Sequence, residues 1–282
     1  MSEKIWRRQA LQRIAVLGAW GAVRRAGAAQ KAPAFALIGD RYHNSDYIRV
    51  GLGKTLGKDL GLSIDFCDEV KMLSAEHLAG RRLLIILRDG MVWPNGYADE
   101  NSNAGYVATG RPKMVSDPPV PRPEGKPGYW ISREQGRAVK EFVAGGGGVL
   151  FFHNVTYISP HDEDFRDVLG AVTEGHPPIR TFRVKVTNRD HPITRGVNDF
   201  VVTDEQHYMR YEKDPKHLLL ESVNEEGLTW KDLGASARAG WAYDYGKGRV
   251  CYLAPGHLLS VLWNPEYVKL QRNAARWLLR EI

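Results

Sequence analysis

The sequence predicts an α/β fold with three layers, in which a mainly parallel sheet lies between two layers of helices. Short, continuously apolar runs recur along the 282 residues, which is typical of strands that are covered on both faces. Amphipathic stretches at helical spacing separate several of these runs, and polar residues that can cap a helix precede them. Neither an internal repeat nor a second core is evident, so we expect one domain over residues 31–282.

The first half of this domain has the pattern of alternating strands and helices. A helix is predicted from Asn44, a polar starter, to Gly61, with apolar residues at helical spacing between them. Ser132 and Gln135 have the spacing of a capping box at the start of a later helix. A glycine run then leads into a buried strand that stops at His153. The predicted strands of this half are 34–38, 62–67, 82–87 and 149–152, and a short helix is predicted at 74–80.

The second half contains four more strand-like runs and a closing helix. The helix begins at Pro265 and shows apolar residues at helical spacing up to Leu279. The strand-like runs are 180–186, 217–222, 239–245 and 249–254. We expect these runs to join the same sheet, with right-handed crossovers wherever parallel strands are connected.

A long insertion at 88–129 interrupts this pattern. It is rich in Pro, Gly, Asn and Asp, and it leaves the carboxyl end of the third strand, where open α/β sheets build their sites. A loop of this length inside a domain is usually either functional or disordered. A lid over a site and a disordered insertion therefore both stay open, and aromatic residues such as Trp93 favour a lid.

The N-terminal residues 1–30 have the layout of an export signal. Basic residues that include the pair Arg7-Arg8 precede an apolar stretch at 14–23, and small residues follow it. We expect a periplasmic or secreted protein with a twin-arginine-like or Sec-like signal, and the alternative is an N-terminal amphipathic helix on a cytoplasmic protein. No later segment has the ~18 apolar residues that a membrane span needs.

The charge of the chain gives little support for nucleic-acid binding. The net charge is +6, but residues 1–29 carry six basic groups and one acid. The remaining residues hold 33 basic and 32 acidic groups, so the body of the protein is almost neutral. The basic character belongs to the leader.

Several familiar catalytic motifs are absent from the sequence. The tripeptide at 53–55, Gly-Lys-Thr, lacks the upstream glycine of a P-loop because Ile48 stands there. There is no G-x-S-x-G nucleophile elbow. A cysteine nucleophile of the amidotransferase type would follow the fourth strand, where His153 stands instead. Cys67 and Cys251 do not form a metal pattern; buried thiols are expected, and a disulfide between them stays open.

Histidines follow three apolar strands directly. His43 comes after the first strand, His153 after the fourth and His257 after the run 249–254. Glu205 and His207 follow a further apolar stretch, and His161 and His176 lie in nearby loops. Because parallel strands end at one edge of a sheet, we expect at least two of the three strand-end histidines to share a site. Such a group can bind a divalent metal or divide acid and base roles near neutral pH.

These segments together resemble the ThuA-like (trehalose utilisation) family, which has a class I glutamine amidotransferase-like, flavodoxin-like fold. The matching pieces occur in the family's order over most of residues 34–280: "GGGVLFFHN", "FRDVLGA", "HPITRGV", "TDEQHYM", "YGKGRVCYLAPGH" and "NPEYVKLQRNAARWLL". The family pattern carries over to the residues His43, His153, Glu205, Tyr208 and His257.

The resemblance implies a role in carbohydrate metabolism, on keto-sugars or glycosides. A 3-keto-glycoside can be cleaved or isomerised by one base, one acid and an electrophile on the developing enolate oxygen. We expect His153 or Glu205 to be the base, and His257 or His43 to polarise oxygen. A bound divalent metal such as zinc, with His43, His153 and His257 as ligands, is one way to do so. The residues predicted to contact the substrate are Asp40, Asn154, His207, Tyr208 and Trp93.

Three functional hypotheses follow. The first is an exported enzyme that acts on a keto-sugar or glycoside, functionally paired with a sugar oxidoreductase. The second is a non-catalytic module that binds a sugar or a partner on the same fold, because fold alone does not grant activity. The third is a metal-dependent hydrolase. None of them involves a nucleic acid or a membrane span.

Overall fold

A computed structural model describes residues 32–93 and 126–282, with thirteen strands and six α-helices among them. The strands are β1 (Ala34–Ile38), β2 (Ile64–Cys67), β3 (Leu83–Leu87), β4 (Met91–Val92), β5 (Gly128–Tyr129), β6 (Gly148–Phe152), β7 (Ala171–Gly175), β8 (Arg180–Val186), β9 (Phe200–Asp204), β10 (Tyr208–Tyr211), β11 (Leu218–Val223), β12 (Ser236–Tyr245) and β13 (Gly248–Leu253). The helices are α1 (Ser45–Leu52), α2 (Ala75–Leu78), α3 (Arg133–Ala144), α4 (Glu163–Leu169), α5 (Leu259–Leu262) and α6 (Pro265–Leu278).

The main sheet has nine strands in the order β2-β1-β3-β6-β13-β12-β11-β8-β9. The first five strands in this order are parallel, which confirms the predicted α/β fold with a sheet that is parallel in its core. The other four strands, β12, β11, β8 and β9, pair antiparallel with their neighbours, so the sheet is mixed. The reason is their short connections, since a two-residue turn joins β12 to β13 and leaves no room for a crossover helix.

Helices flank the parallel part of the sheet in two groups. Helix α5 contacts both α1 and α6, and α6 packs on β6 and β13. Helices α2, α3 and α4 form the other group, of which α3 and α4 also pack on β13. Every residue of β3 and β6 is buried as a result, which explains why both strands are continuously apolar.

The predicted helix boundaries are largely confirmed. Asn44 caps α1, and the predicted helix continues as a π-helix over Gly53–Lys58. At α3 the Ser132 side chain accepts from the Gln135 amide, and the Gln135 side chain accepts from the Ser132 amide, as in a capping box. Cys67 and Cys251 are both free thiols.

The insertion begins and ends in a small antiparallel pair. Met91 pairs with Tyr129 and Val92 with Gly128, so the two ends of the insertion lie side by side. Trp93 packs against Arg41, whose guanidinium lies 4.0 Å from the indole ring. The interior of the insertion and the predicted leader lie outside the described residues, and the lid stays a prediction. Among the helices of the described ranges, none combines the length and the apolar character that crossing a membrane would require.

We expect Gly248→Ala to destabilise the protein by roughly 1–3 kcal/mol, as overpacking of a core does. A Cβ at Gly248 would overlap the carbonyl oxygens of Val143 and Gly147, which are backbone atoms and cannot turn aside. Urea unfolding measures the effect. Gly53→Ala is the matched control, because Gly53 has helical dihedral angles and open space around its Cβ position. An equal loss in both variants would contradict this account.

Candidate metal centre and active site

The three strand-end histidines meet at the carboxyl edge of the parallel strands. His43 follows β1, His153 follows β6 and His257 follows β13, and these strands lie close together in the sheet. The ring of His43 lies 4.9 Å from that of His153 and 4.7 Å from that of His257, centroid to centroid. The convergence expected from the sequence is therefore present.

Glu205 completes a group of four possible ligands. Its Oε2 lies 3.3 Å from Nε2 of His153 and 3.2 Å from Nδ1 of His257. Nε2 of His43 lies 2.9 Å from the same Nδ1 of His257. One ligand atom from each of the four residues fits within 4.8 Å of all the others. We call these four residues the central cluster.

The backbone around His153 fixes the direction of its ring. His153 has a positive φ of 49°, which is uncommon for a residue with a side chain and often marks a functional site. Its Nδ1 lies 2.9 Å from the carbonyl oxygen of Ala254, so Nδ1 donates and Nε2 turns to Glu205. The hydroxyl of Tyr252 donates to the His153 carbonyl at 2.7 Å. His153 thus presents a bare ring nitrogen to the centre.

Asp40 holds His43 in the same way. Its carboxylate accepts from Nδ1 of His43 at 2.8 Å, from the Asn154 side chain at 2.8 Å and from the Asp89 amide at 2.9 Å. Burial opposes ionisation of Asp40, but His43 and these hydrogen bonds outweigh it and lower its pKa to about 2. An ionised Asp40 keeps the proton of His43 on Nδ1 and directs the bare Nε2 to the centre.

Asp204 joins the end of β9 to the loop of His257. Its two carboxylate oxygens accept from the amides of Gly256 at 2.8 Å and His257 at 3.2 Å. Burial raises the pKa of Asp204, although His153 and the Gly256 amide act in the opposite direction. Because β9 is the last strand of the sheet, this contact requires the antiparallel part of the sheet to curl back toward the parallel strands.

The central cluster has the charge pattern of a cation site. Burial alone would raise the pKa of Glu205, but the imidazoles of His153, His207 and His257 hold it far below the usual range. Burial alone would lower the pKa of His257, but Glu205, with Asp204 and Asp40, raises it. Glu205 is therefore an anion that imidazoles surround, and it is suited to be a ligand rather than a proton donor.

Asp89 is a candidate functional residue that the sequence analysis did not identify. It lies two residues beyond β3, and burial together with the charge of Asp40 raises its pKa to about 7. A carboxylate just after a buried strand is a signal that could have identified Asp89, but the residue falls within the segment assigned to the insertion. It can hold or release a proton near neutral pH.

The residues predicted to contact a substrate have different surroundings. The side chains of Asp40 and Asn154 are buried and support His43, while His207 lies beside the central cluster with its Nε2 3.5 Å from Oε2 of Glu205. Tyr208 is buried and its hydroxyl donates to the carbonyl of Gly234, so these contacts do not support a sugar-binding role for it. Trp93 packs on Arg41 and stays a predicted contact.

The comparisons with known proteins agree with this fold. A family profile described as ThuA, trehalose utilisation, matches residues 123–278, which is more than half of the chain. No curated protein matches the sequence.

Solved structures share the fold at low identity. A ThuA-like protein from Bacteroides uniformis is 18% identical with a TM-score of 0.59, and the match covers 90% of this chain and 94% of that one. A ThuA-like protein from Parabacteroides merdae is 16% identical with a TM-score of 0.61, covering 89% and 91%. A β-galactosidase from Rahnella sp. R3 is 14% identical with a TM-score of 0.54, covering 96% of this chain but 35% of that one. These likenesses concern the fold alone. With the profile match, they support one conclusion: the chain belongs to the ThuA family, whose description connects it with carbohydrate metabolism.

Proposed function

We propose that this protein is a metal-dependent enzyme of carbohydrate metabolism that cleaves or isomerises keto-sugars or glycosides by acid–base chemistry. The observation that carries the proposal is the central cluster, in which three imidazoles and one carboxylate from four separate segments converge. In this proposal His43, His153, Glu205 and His257 hold a divalent ion such as zinc.

The donor set fits such an ion. Imidazole nitrogen and carboxylate oxygen are ordinary zinc ligands, and a ligating histidine usually donates its other ring N–H to a carboxylate or a carbonyl. His43 does so to Asp40, and His153 does so to Ala254. The nitrogens of His43 and His257 that face each other at 2.9 Å need a shared proton or a cation between them. The surroundings of His43 and His153 thus direct one ring nitrogen of each toward the centre.

The chemistry follows from the needs of a keto-sugar. A bound divalent ion supplies a Lewis acid that polarises a carbonyl oxygen. A keto group acidifies the neighbouring C–H, so a base can remove that proton and an acid can assist departure of the glycosidic oxygen or return the proton elsewhere. With His153 and Glu205 engaged as ligands, Asp89 is the proton-transfer group of this proposal: its amide donates to Asp40, the partner of His43, and burial with the charge of Asp40 raises its pKa to about 7.

The trehalose utilisation family supports the sugar substrate class. A 3-keto-glycoside requires an oxidation before it reaches this enzyme, so the proposal includes functional pairing with a sugar oxidoreductase. Export to the periplasm would follow from the leader-like residues 1–30 and stays a prediction.

Turnover of a 3-keto-disaccharide by the full chain, with and without chelator, tests the proposal. We expect turnover that chelator abolishes and zinc restores, and a loss of more than about 100-fold in His153→Ala. His217→Gln is the control, because His217 lies outside the central cluster and stacks on Tyr243. Sugar binding without turnover would instead indicate a non-catalytic module, and turnover that resists the chelator would remove the metal from the proposal.

A further inference from the structure

A second group of possible ligands adjoins the central cluster and shares Glu205 with it. Nε2 of His176 lies 3.6 Å and Nε2 of His207 lies 3.5 Å from Oε2 of Glu205. The same oxygen contacts His153 and His257. Glu205 therefore lies between two sets of imidazoles. The atoms of His176, Glu205 and His207 also come within 4.8 Å of one another.

The orientation of His176 repeats the pattern seen for His153. Its Nδ1 lies 2.9 Å from the carbonyl oxygen of Pro177 and so donates to it. This hydrogen bond leaves Nε2 as the bare nitrogen, directed to Glu205. The rings of His176 and His207 are stacked, with centroids 4.7 Å apart, so both present an edge to the same carboxylate. A backbone carbonyl that fixes the ring in this way is typical of metal-ligating histidines.

His207 supplies an independent observation. It is 1% exposed; within the described ranges its Nδ1 has no hydrogen-bond partner, and its Nε2 has only the long contact of 3.5 Å with Glu205. A buried polar group without a partner costs roughly 1–3 kcal/mol, so native proteins rarely keep one without a reason. A cation bound at Nε2 would satisfy one of the two nitrogens and would explain why a buried imidazole points at Glu205.

We infer that this centre binds two divalent ions, with Glu205 shared between them. His43, His153 and His257 hold the first ion, and His176 and His207 hold the second. The inference rests on the proposed function for the first ion and goes beyond it for the second. The buried carboxylate of Asp40 adjoins the centre through His43 and adds negative charge beside the ions.

Two ions would narrow the class of substrate. In two-metal sites each ion can stabilise one of two oxygens at the reacting centre. A keto-sugar offers such a pair, because its carbonyl oxygen and the neighbouring hydroxyl lie on adjacent carbons. A deoxy analogue that lacks the hydroxyl next to the carbonyl is then expected to bind more weakly than the parent keto-sugar.

Metal counting on the full chain tests the inference. Chelator first removes any bound metal, and the protein is then equilibrated with Zn²⁺ and freed of excess ion. Elemental mass spectrometry gives the number of zinc ions per chain. We expect two ions per chain in the wild type, one in His176→Ala and one in His43→Ala. His217→Gln should keep two. Circular dichroism of each variant verifies that the count is made on folded protein.

A second measurement keeps the test independent of the variants. Two Mn²⁺ ions that share a carboxylate are magnetically coupled, so the wild type loaded with Mn²⁺ should give a coupled electron paramagnetic resonance spectrum. One ion per chain, retained in His176→Ala and lost in His43→Ala, would overturn the second site and leave the proposed function standing. No bound ion in the wild type would overturn both.

Discussion

Replacing Glu205 by glutamine is expected to abolish tight divalent-metal binding and to lower turnover by more than about 100-fold. Among the residues that the structure describes, Glu205 is the one anion in direct contact with imidazoles of both ligand groups, which are His153, His257, His176 and His207. Glutamine has nearly the same shape but carries no charge, and its amide nitrogen is a donor and not a ligand. The variant should therefore lose both ions, whereas single histidine variants should lose one.

The measurement is Zn²⁺ affinity by calorimetry, combined with turnover of the keto-disaccharide. Glu225→Gln is a matched control, because Glu225 is exposed and forms its ion pair with Arg183 in the antiparallel part of the sheet. Undiminished metal binding by Glu205→Gln would show that Glu205 is not a ligand. The three histidines of the central cluster would then need another anion to complete the site.

The sequence predicted the part of the site that local pattern and parallel topology determine. His153 follows an apolar run directly and His43 follows one after four residues, so both are expected at the carboxyl edge of a parallel strand. Their meeting required that the two runs lie close together in one sheet, and the structure places β1 and β6 on either side of β3. The same reasoning reached His257, because β13 is also parallel to β6.

The rest of the site depends on contacts that no local pattern encodes. Glu205 was predicted as a site residue, but its position relative to the histidines was not: it follows β9 at the far end of the sheet, where Asp204 accepts from the amides of Gly256 and His257. The run 239–245 was identified as a strand, but its antiparallel direction follows from a two-residue turn and not from its apolar pattern. The sequence analysis did not identify Asp89 because the residues that follow it have the composition of a loop.

Replacing Asp40 by asparagine is expected to destabilise the metal-free protein by roughly 2–5 kcal/mol at pH 7, as the loss of one partner from a buried charged network does. The Asp40 side chain is fully buried, and its oxygens accept from the amides of Tyr42, His43 and Asp89 as well as from the side chains of His43 and Asn154. An asparagine would place an N–H₂ group where donors already point. At least one of these donors must then lose its partner.

The pH dependence of this difference distinguishes the charge of Asp40 from its shape. The pKa of Asp40 falls from 3.8 to about 2 on folding, so its ionised form contributes stability above 3.8 and loses it as the pH falls toward 2. The gap between wild type and Asp40→Asn should be constant above pH 5 and should shrink by roughly 2 kcal/mol at the acid end. Urea unfolding in the presence of chelator, between pH 7 and the lowest pH at which both proteins fold, measures this gap.

Asp244→Asn is the control. Asp244 forms an exposed ion pair with Arg249, so its replacement should change the free energy of unfolding by no more than about 0.5 kcal/mol at any of these pH values. A gap that does not vary with pH would assign the effect of Asp40 to packing alone, and the orientation of His43 by a charged partner would then lose its support.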